Sequence, residues 1–90
     1  MGDRLRLRDS GLEWRAVEGE VVALDVDASQ YLAINETGRL LWEALAAGAT
    51  QDELTQLLMA GAGIDRAIAA RDAEAFVAAL DRRGLLAHGE

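Results

Sequence analysis

Apolar and polar residues alternate along the first third of the chain. The alternation covers residues 12–17, 21–26 and 30–34 and is typical of half-buried β-strands. Short links join the three segments, and Gly19 in the first link accommodates the positive φ of a tight turn. Strands linked in this way pair antiparallel, so the pattern predicts a three-stranded meander. The residues that share an apolar face are Leu12, Trp14 and Ala16 in the first strand and Val22, Leu24 and Val26 in the second.

After the third strand the apolar residues recur with the period of helices. Asn35 is a favourable N-cap for a helix over residues 36–47, and Gly48 is suited to end that helix. The run Thr50-Gln51-Asp52-Glu53 fits a capping box. It predicts a second helix that reaches about residue 60.

Glycines separate the second helix from the third. Gly61 and Gly63 are expected to break the second helix, and Asp65 is expected to cap a third that reaches about residue 83. The apolar positions expected to be buried are Leu54, Leu57 and Leu58 in the second helix and Ile68, Phe76, Ala79 and Leu80 in the third.

Three strands followed by three helices predict an α+β fold, in a single domain over residues 1–90. A small antiparallel sheet has one apolar face, so the helices are expected to cover that face. Leu5 and Leu7 indicate an additional, fourth strand near the N-terminus. At least one edge of the sheet is expected to stay open.

Composition narrows the class of protein. The chain has no cysteine and one histidine, His88, which is expected to be a solvated tail residue. The net charge is -7, and a chain without a basic footprint is not expected to bind nucleic acid. Arg4, Arg6 and Arg8 form a basic cluster that we interpret as a solvated edge. No signal peptide or membrane-length apolar run is present, so we expect a cytoplasmic protein without a membrane partner.

Catalytic chemistry has no convincing candidate residues in this sequence. A nucleophilic mechanism needs a base beside a Ser, Thr or Cys, and the single histidine lies in the tail. Gly61-Ala62-Gly63 stands between helices rather than after a strand, so we interpret it as a helix stop and not as a phosphate loop. Acidic pairs such as Asp25 and Asp27 are common on an acidic surface and indicate no metal site. We therefore expect neither an enzyme nor a bound metal or cofactor.

The last strand and the third helix are the features with potential for binding. Gln30–Ile34 contains no Lys, Pro or inward-pointing charge of the kind that protects an edge strand. Such an edge either adds a strand from a partner or is covered by the third helix or the N-terminal arm. The third helix, roughly 27 Å long, is longer than that cover requires. Phe76 and Leu80 fit the core as well as a groove wall, so the residues alone leave both alternatives open.

Several short segments, taken in order, resemble the PqqD-like proteins. The segments are Leu12-Glu13-Trp14-Arg15, Gly19-Glu20-Val21-Val22-Ala23-Leu24-Asp25, Tyr31-Leu32-Ala33-Ile34-Asn35, Thr37-Gly38-Arg39-Leu40-Leu41-Trp42-Glu43, Gly48-Ala49-Thr50, Phe76-Val77-Ala78-Ala79-Leu80 and Arg83-Gly84-Leu85-Leu86. Their order and spacing extend over nearly the whole chain. Two departures are Ile34, where the family tends to have Leu, and Glu36, where it often has Pro or Asp; the fold tolerates both.

The resemblance implies a winged helix-turn-helix-like domain known as a RiPP recognition element. Such a domain binds the leader of a ribosomally synthesised precursor peptide, which adds to the third strand and enters a groove beside the third helix. The peptide-binding residues implied in this chain are Gln30, Tyr31, Leu32, Ala33 and Ile34 in the strand and Asp72, Ala73, Phe76, Val77 and Leu80 in the helix. The resemblance thus favours an open, strand-adding edge.

Within the family, the chain looks most like the stand-alone recognition proteins of lasso-peptide pathways. The partner implied there is a separate cysteine leader peptidase. The alternative is PqqD itself, a peptide chaperone for a radical enzyme in cofactor biosynthesis. A winged-helix DNA-binding protein shares the topology, and the net charge of -7 argues against it.

Overall fold

The computed structural model describes residues 4–87, which form five strands and three helices. In chain order the elements are β1 (Arg6–Leu7), β2 (Leu12–Val17), β3 (Glu20–Asp25), β4 (Gln30–Ile34), α1 (Glu36–Ala47), α2 (Gln51–Ala62), α3 (Arg66–Arg82) and β5 (Leu86–Ala87). The predicted α+β order, a three-stranded meander followed by three helices, is confirmed. His88 lies outside the described residues. Between residues 4 and 87, no helix has both the length and the apolar character that crossing a membrane requires.

The meander consists of β2, β3 and β4, with β3 at its centre. Val17 pairs with Glu20 across a two-residue turn. Glu18 and Gly19 in this turn both have positive φ, 54° and 83°. Turns with two positive φ angles match the right-handed twist of paired strands, which explains why glycine stands at position 19.

The face of β3 that packs against the helices is the opposite of the predicted one. Val21 and Ala23 are buried, whereas Val22 is 41% exposed. The register explains the difference, because Trp14 lies opposite Ala23 and their side chains therefore share a face. Trp14 packs edge-on against Trp42 of α1, with the ring centroids 6.0 Å apart. Apolar residues occupy both faces of β3, so its own pattern did not determine which face is buried.

The first two helices begin at their predicted capping residues. The Asn35 side chain accepts a hydrogen bond from the Gly38 N–H at 2.8 Å. Thr50 and Glu53 form the reciprocal hydrogen bonds of a capping box. α3 begins after Asp65 as predicted, although the Asp65 side chain makes no capping hydrogen bond.

Three predictions about helical residues are wrong. Gly61 does not break α2, which continues to Ala62. The helix ends at Gly63, whose backbone has the left-handed conformation. Gly61 instead faces α1, and a Cβ there would lie 2.5 Å from Cδ1 at the end of the Leu40 side chain. Leu57 and Ile68 were expected in the core but are 37% and 43% exposed. Both lie beside the buried stripes of their helices rather than within them.

The core lies between the inner face of the sheet and the three helices. Trp42 and Leu45 of α1 are fully buried at its centre, and Leu54 and Leu58 approach them from α2. The remaining buried apolar residues are Leu7, Val21, Ala23, Leu41, Ala49, Ala69, Ala73, Leu80, Leu85 and Leu86. α1 contacts both β3 and β4, so it fixes the distance between the sheet and the other helices.

The N-terminal segment does not join the meander as a fourth strand. β1 pairs antiparallel with β5, and Leu7 lies opposite Leu86 in this separate two-stranded sheet. Leu5 and Ala49 exchange backbone hydrogen bonds of 2.8 and 2.9 Å. Leu7 and Leu86 are buried, so the paired ends of the chain close the core near the C-terminal end of α1.

Arg8 is not a solvated residue, contrary to the interpretation of the basic cluster as a solvated edge. Its guanidinium donates hydrogen bonds of 2.8–2.9 Å to the carbonyl oxygens of Ser10, Gly11 and Gly84 and to Asp25 Oδ1. Asp25 is only 5% exposed. The hydrogen bond from Arg8, supplemented by a backbone N–H from the following turn, holds the pKa of the Asp25 carboxyl below its ordinary value of 3.8. Arg8 therefore joins the N-terminal segment, the sheet and the turn after α3.

Candidate functional site

β4 is an edge strand whose outer side has no partner strand within residues 4–87. Val17 and Glu20 flank a two-residue turn, so they form a hydrogen-bonded pair. Every second residue of β3, counted from Glu20, therefore bonds to β2, and the residues between them bond to β4. The β4 residues that bond to β3 in this register are Gln30, Leu32 and Ile34. We infer that the N–H and C=O groups of Tyr31 and Ala33 point outward. Four main-chain groups are thus available to an added strand.

A groove of about 320 Å³ lies beside the C-terminal end of β4. One wall is β4, the opposite wall is α3, and the first turns of α1 form the floor. The lining residues are Ala33, Ile34, Asn35, Thr37, Gly38, Leu41, Leu58, Asp72 and Phe76. The open edge and the groove are therefore continuous along the same strand.

Gly38 allows the two walls of the groove to approach α1 closely. A Cβ at this position would lie 2.7 Å from Ile34 Cγ2 and 3.2 Å from Phe76 Cε1. Ile34 and Phe76 are both partly buried against the core, so the groove has a packed, apolar base. A glycine inside a helix lowers stability by about 1 kcal/mol relative to alanine. An unfavourable glycine at position 38 of a predicted helix was therefore the sequence signal that could have indicated the close packing at the groove floor.

The structure brings together four of the ten residues expected to bind a peptide. Those lining the groove are Ala33, Ile34, Asp72 and Phe76. The other six do not line the groove. Leu32 and Val77 pack against the core, and Ala73 and Leu80 are buried within it. Gln30 lies at the start of β4, and the Tyr31 side chain lies on the outer face of the sheet although its main chain is at the open edge. Tyr31 is 74% exposed and lies across from Leu24. Asn35, Thr37, Gly38, Leu41 and Leu58 were not expected in the site.

Asp72 is the one charged residue in the lining of this groove. Its side chain is exposed, and it makes no hydrogen bond or ion pair with the described part of the chain. Within residues 4–87, no three His, Cys, Asp or Glu side chains converge in an arrangement that could hold a metal ion. The site is consequently a short apolar groove with an open strand on one side and a single carboxylate on the other.

Comparison with known proteins identifies one family and two similar structures. The family model described as Coenzyme PQQ synthesis protein D (PqqD) matches residues 20–86. A structure of TbiB1 in complex with the TbiA(beta) leader peptide is 24% identical, with a TM-score of 0.84, and the match covers 94% of this chain and 98% of that chain. A structure of lasso peptide synthetase B1 complexed with the leader peptide is 26% identical, with a TM-score of 0.80 and coverages of 92% and 96%. No curated protein matches the chain.

Proposed function

Since this chain belongs to the PqqD family, we propose that it binds the leader of a ribosomally synthesised precursor peptide by strand addition to β4 and presents that peptide to a modifying enzyme. The observation that carries the proposal is the unpaired edge of β4 beside an apolar groove. Main-chain hydrogen bonds supply affinity in this mode of recognition, and pockets for alternate side chains supply specificity. The two similar structures, which are of leader-peptide complexes, support this assignment.

The size of the site limits how the affinity is distributed. A leader that orders a few residues along β4 buries less than about 1,200 Å², the low end of specific interfaces. Few side chains must then provide most of the binding free energy. Phe76 and Ile34 are the best candidates, because both are held against the core and both face the groove.

The edge is tested by a proline that removes one outward N–H. Ala33→Pro deletes a donor at the outer edge of β4, and edge positions tolerate proline. Ala16→Pro is a matched control, since Ala16 is likewise exposed and by the same register points its N–H to the free edge of β2. The probe is a fluorescently labelled leader peptide of the cognate precursor. Losing one hydrogen bond and gaining a steric conflict should weaken binding by Ala33→Pro about tenfold.

The circular dichroism spectra of both proline variants should match that of the wild type. Equal leader affinities for Ala33→Pro, Ala16→Pro and wild type would exclude strand addition at β4. Loss of affinity in both variants alike would assign the effect to the sheet as a whole rather than to this edge.

The partner enzyme proposed is the cysteine leader peptidase of a lasso-peptide pathway. A binding protein without catalytic groups accelerates a reaction by raising the local concentration of substrate at the enzyme. Adding this protein to the peptidase should therefore speed cleavage of the full precursor, and the Ala33→Pro variant should restore less of that acceleration. Equal cleavage rates with and without the protein would exclude this pathway. The PqqD family match favours a second candidate, a chaperone for a radical enzyme, which acceleration of such an enzyme would support.

A further inference from the structure

Some acidic residues of the helices are paired with an arginine, and within the described part of the chain Asp72 is not. Asp52 pairs with Arg66 at 2.6 Å, and Glu43 pairs with Arg39 at 2.9 Å. Asp72 has no such partner within residues 4–87, although the chain carries nine arginines. Its carboxylate borders a groove whose other lining residues are uncharged.

The position of Asp72 relative to Phe76 sets a distance that a bound strand can match. The two residues are four apart on α3, so they share one helix face with Cβ atoms about 5–6 Å apart. Side chains two residues apart in an extended peptide also share a face and lie about 6.6–6.8 Å apart. A peptide strand that runs along α3 with an apolar side chain against Phe76 would therefore bring the side chain two residues away close to Asp72.

We propose that Asp72 makes this groove selective for peptides with a Lys or Arg two residues from the apolar anchor. This specificity rests on the proposed peptide-binding function and defines the class of leader that the site accepts. The carboxylate attracts a basic side chain and repels Asp or Glu at that position. The net charge of -7 acts in the same direction, because it favours the approach of a basic peptide at low ionic strength.

The expected effect is modest because Asp72 is exposed. Ion pairs at exposed positions change affinity about two- to fivefold. Replacing the basic residue by Glu reverses the interaction, so the difference between Lys and Glu at this position should be about tenfold. The preference should weaken as salt rises, since the Debye length falls to about 3 Å at 1 M.

The preference is measured by selecting randomised twelve-residue peptides, displayed on their messenger RNA, against immobilised protein. The targets are wild type, Asp72→Asn, Asp72→Lys and Ala33→Pro. Glu74→Lys is the matched control, because Glu74 is an exposed acid on α3 outside the groove lining and its replacement changes the net charge equally. Peptides selected by wild type but not by Ala33→Pro are those that use the β4 edge.

Among the edge-dependent peptides, wild type and Glu74→Lys should enrich Lys or Arg two positions from an apolar residue. Asp72→Asn should lose that enrichment, and Asp72→Lys should replace it with Asp or Glu. Edge-dependent peptides without a charge preference at that spacing would overturn the specificity and leave the proposed function standing. If no selected peptide depended on the β4 edge, the proposed function would fail and the specificity with it.

Discussion

Gly38 lies in the first turn of α1 on the floor of the groove, and its replacement by alanine tests the packing of the site. The new Cβ would lie 2.7 Å from Ile34 Cγ2 and 3.2 Å from Phe76 Cε1. Carbon atoms in contact normally stay about 3.5–4.0 Å apart, so both neighbours must move. Ile34 is β-branched and restricted at χ1, which leaves its methyl group little freedom to yield.

Two opposing contributions decide the change in stability. Alanine in place of a helical glycine favours folding by about 0.5–1 kcal/mol. Overpacking of a close contact costs typically about 1–3 kcal/mol. We therefore expect Gly38→Ala to lower the free energy of unfolding by about 1 kcal/mol. Leader affinity should fall at least about tenfold, because the methyl group fills part of the floor and displaces both walls of the groove.

Urea unfolding measures the stability, and fluorescence anisotropy with the labelled leader measures the affinity. Gly61→Ala is the matched control, since Gly61 is also helical and lies outside the groove. Its new Cβ would meet the end of the flexible Leu40 side chain, which can rotate away. This control should keep or gain stability, by up to about 1 kcal/mol, and bind normally. A Gly38→Ala variant as stable as Gly61→Ala, with wild-type affinity, would refute the close packing at the groove floor.

Two further predictions concern the ion pair and the groove wall. The pKa of Asp25 lies below 3.8 in the folded protein, so ionised Asp25 stabilises the fold above that pH, and this contribution is lost as the pH falls through the lower folded-state value. The difference in the free energy of unfolding between wild type and Asp25→Asn, measured in urea titrations, should thus shrink below pH 3.8. A difference that stayed unchanged down to about pH 2 would contradict the stabilising role of ionised Asp25. Phe76→Ala should cost about 2 kcal/mol in the same assay, whereas the exposed Ile68→Ala should cost less than about 1 kcal/mol. Equal losses would show that the Phe76 ring is not packed.

Local signals located most of the secondary structure in advance. Asn35 and the capping box at Thr50 place helix starts within a residue, because a cap is satisfied by groups three residues away. The turn at Gly19 was also expected, but as the three residues 18–20 with the second strand beginning at residue 21. The structure has a two-residue turn and β3 begins at Glu20, so the register of β2 and β3 differs by one residue from the expected one. Each of these signals acts over a few residues and can be read without knowledge of the rest of the fold.

Long-range contacts account for what the sequence pattern missed. The buried face of β3 depends on Trp14 meeting Trp42, a contact between a strand and a helix. The role of Arg8 depends on Gly84, which lies 76 positions away along the chain. Leu58 enters the groove lining from α2, although its spacing is that of an ordinary core residue. The composition of β4 allowed an open or a covered edge, and the family resemblance favoured the open one. Neither located the residues that form the groove floor.

The pairing of β1 with β5 brings the two ends of the described chain together at one end of α1. Leu5 bonds to Ala49 just beyond the C-terminal end of this helix, whereas the groove lies at its first turns. A helix of 12 residues separates the two by about 18 Å. A linker or a second protein attached at either end would therefore leave the groove clear. We therefore expect that an enzyme fused to either end would be joined on the side of the domain away from the groove.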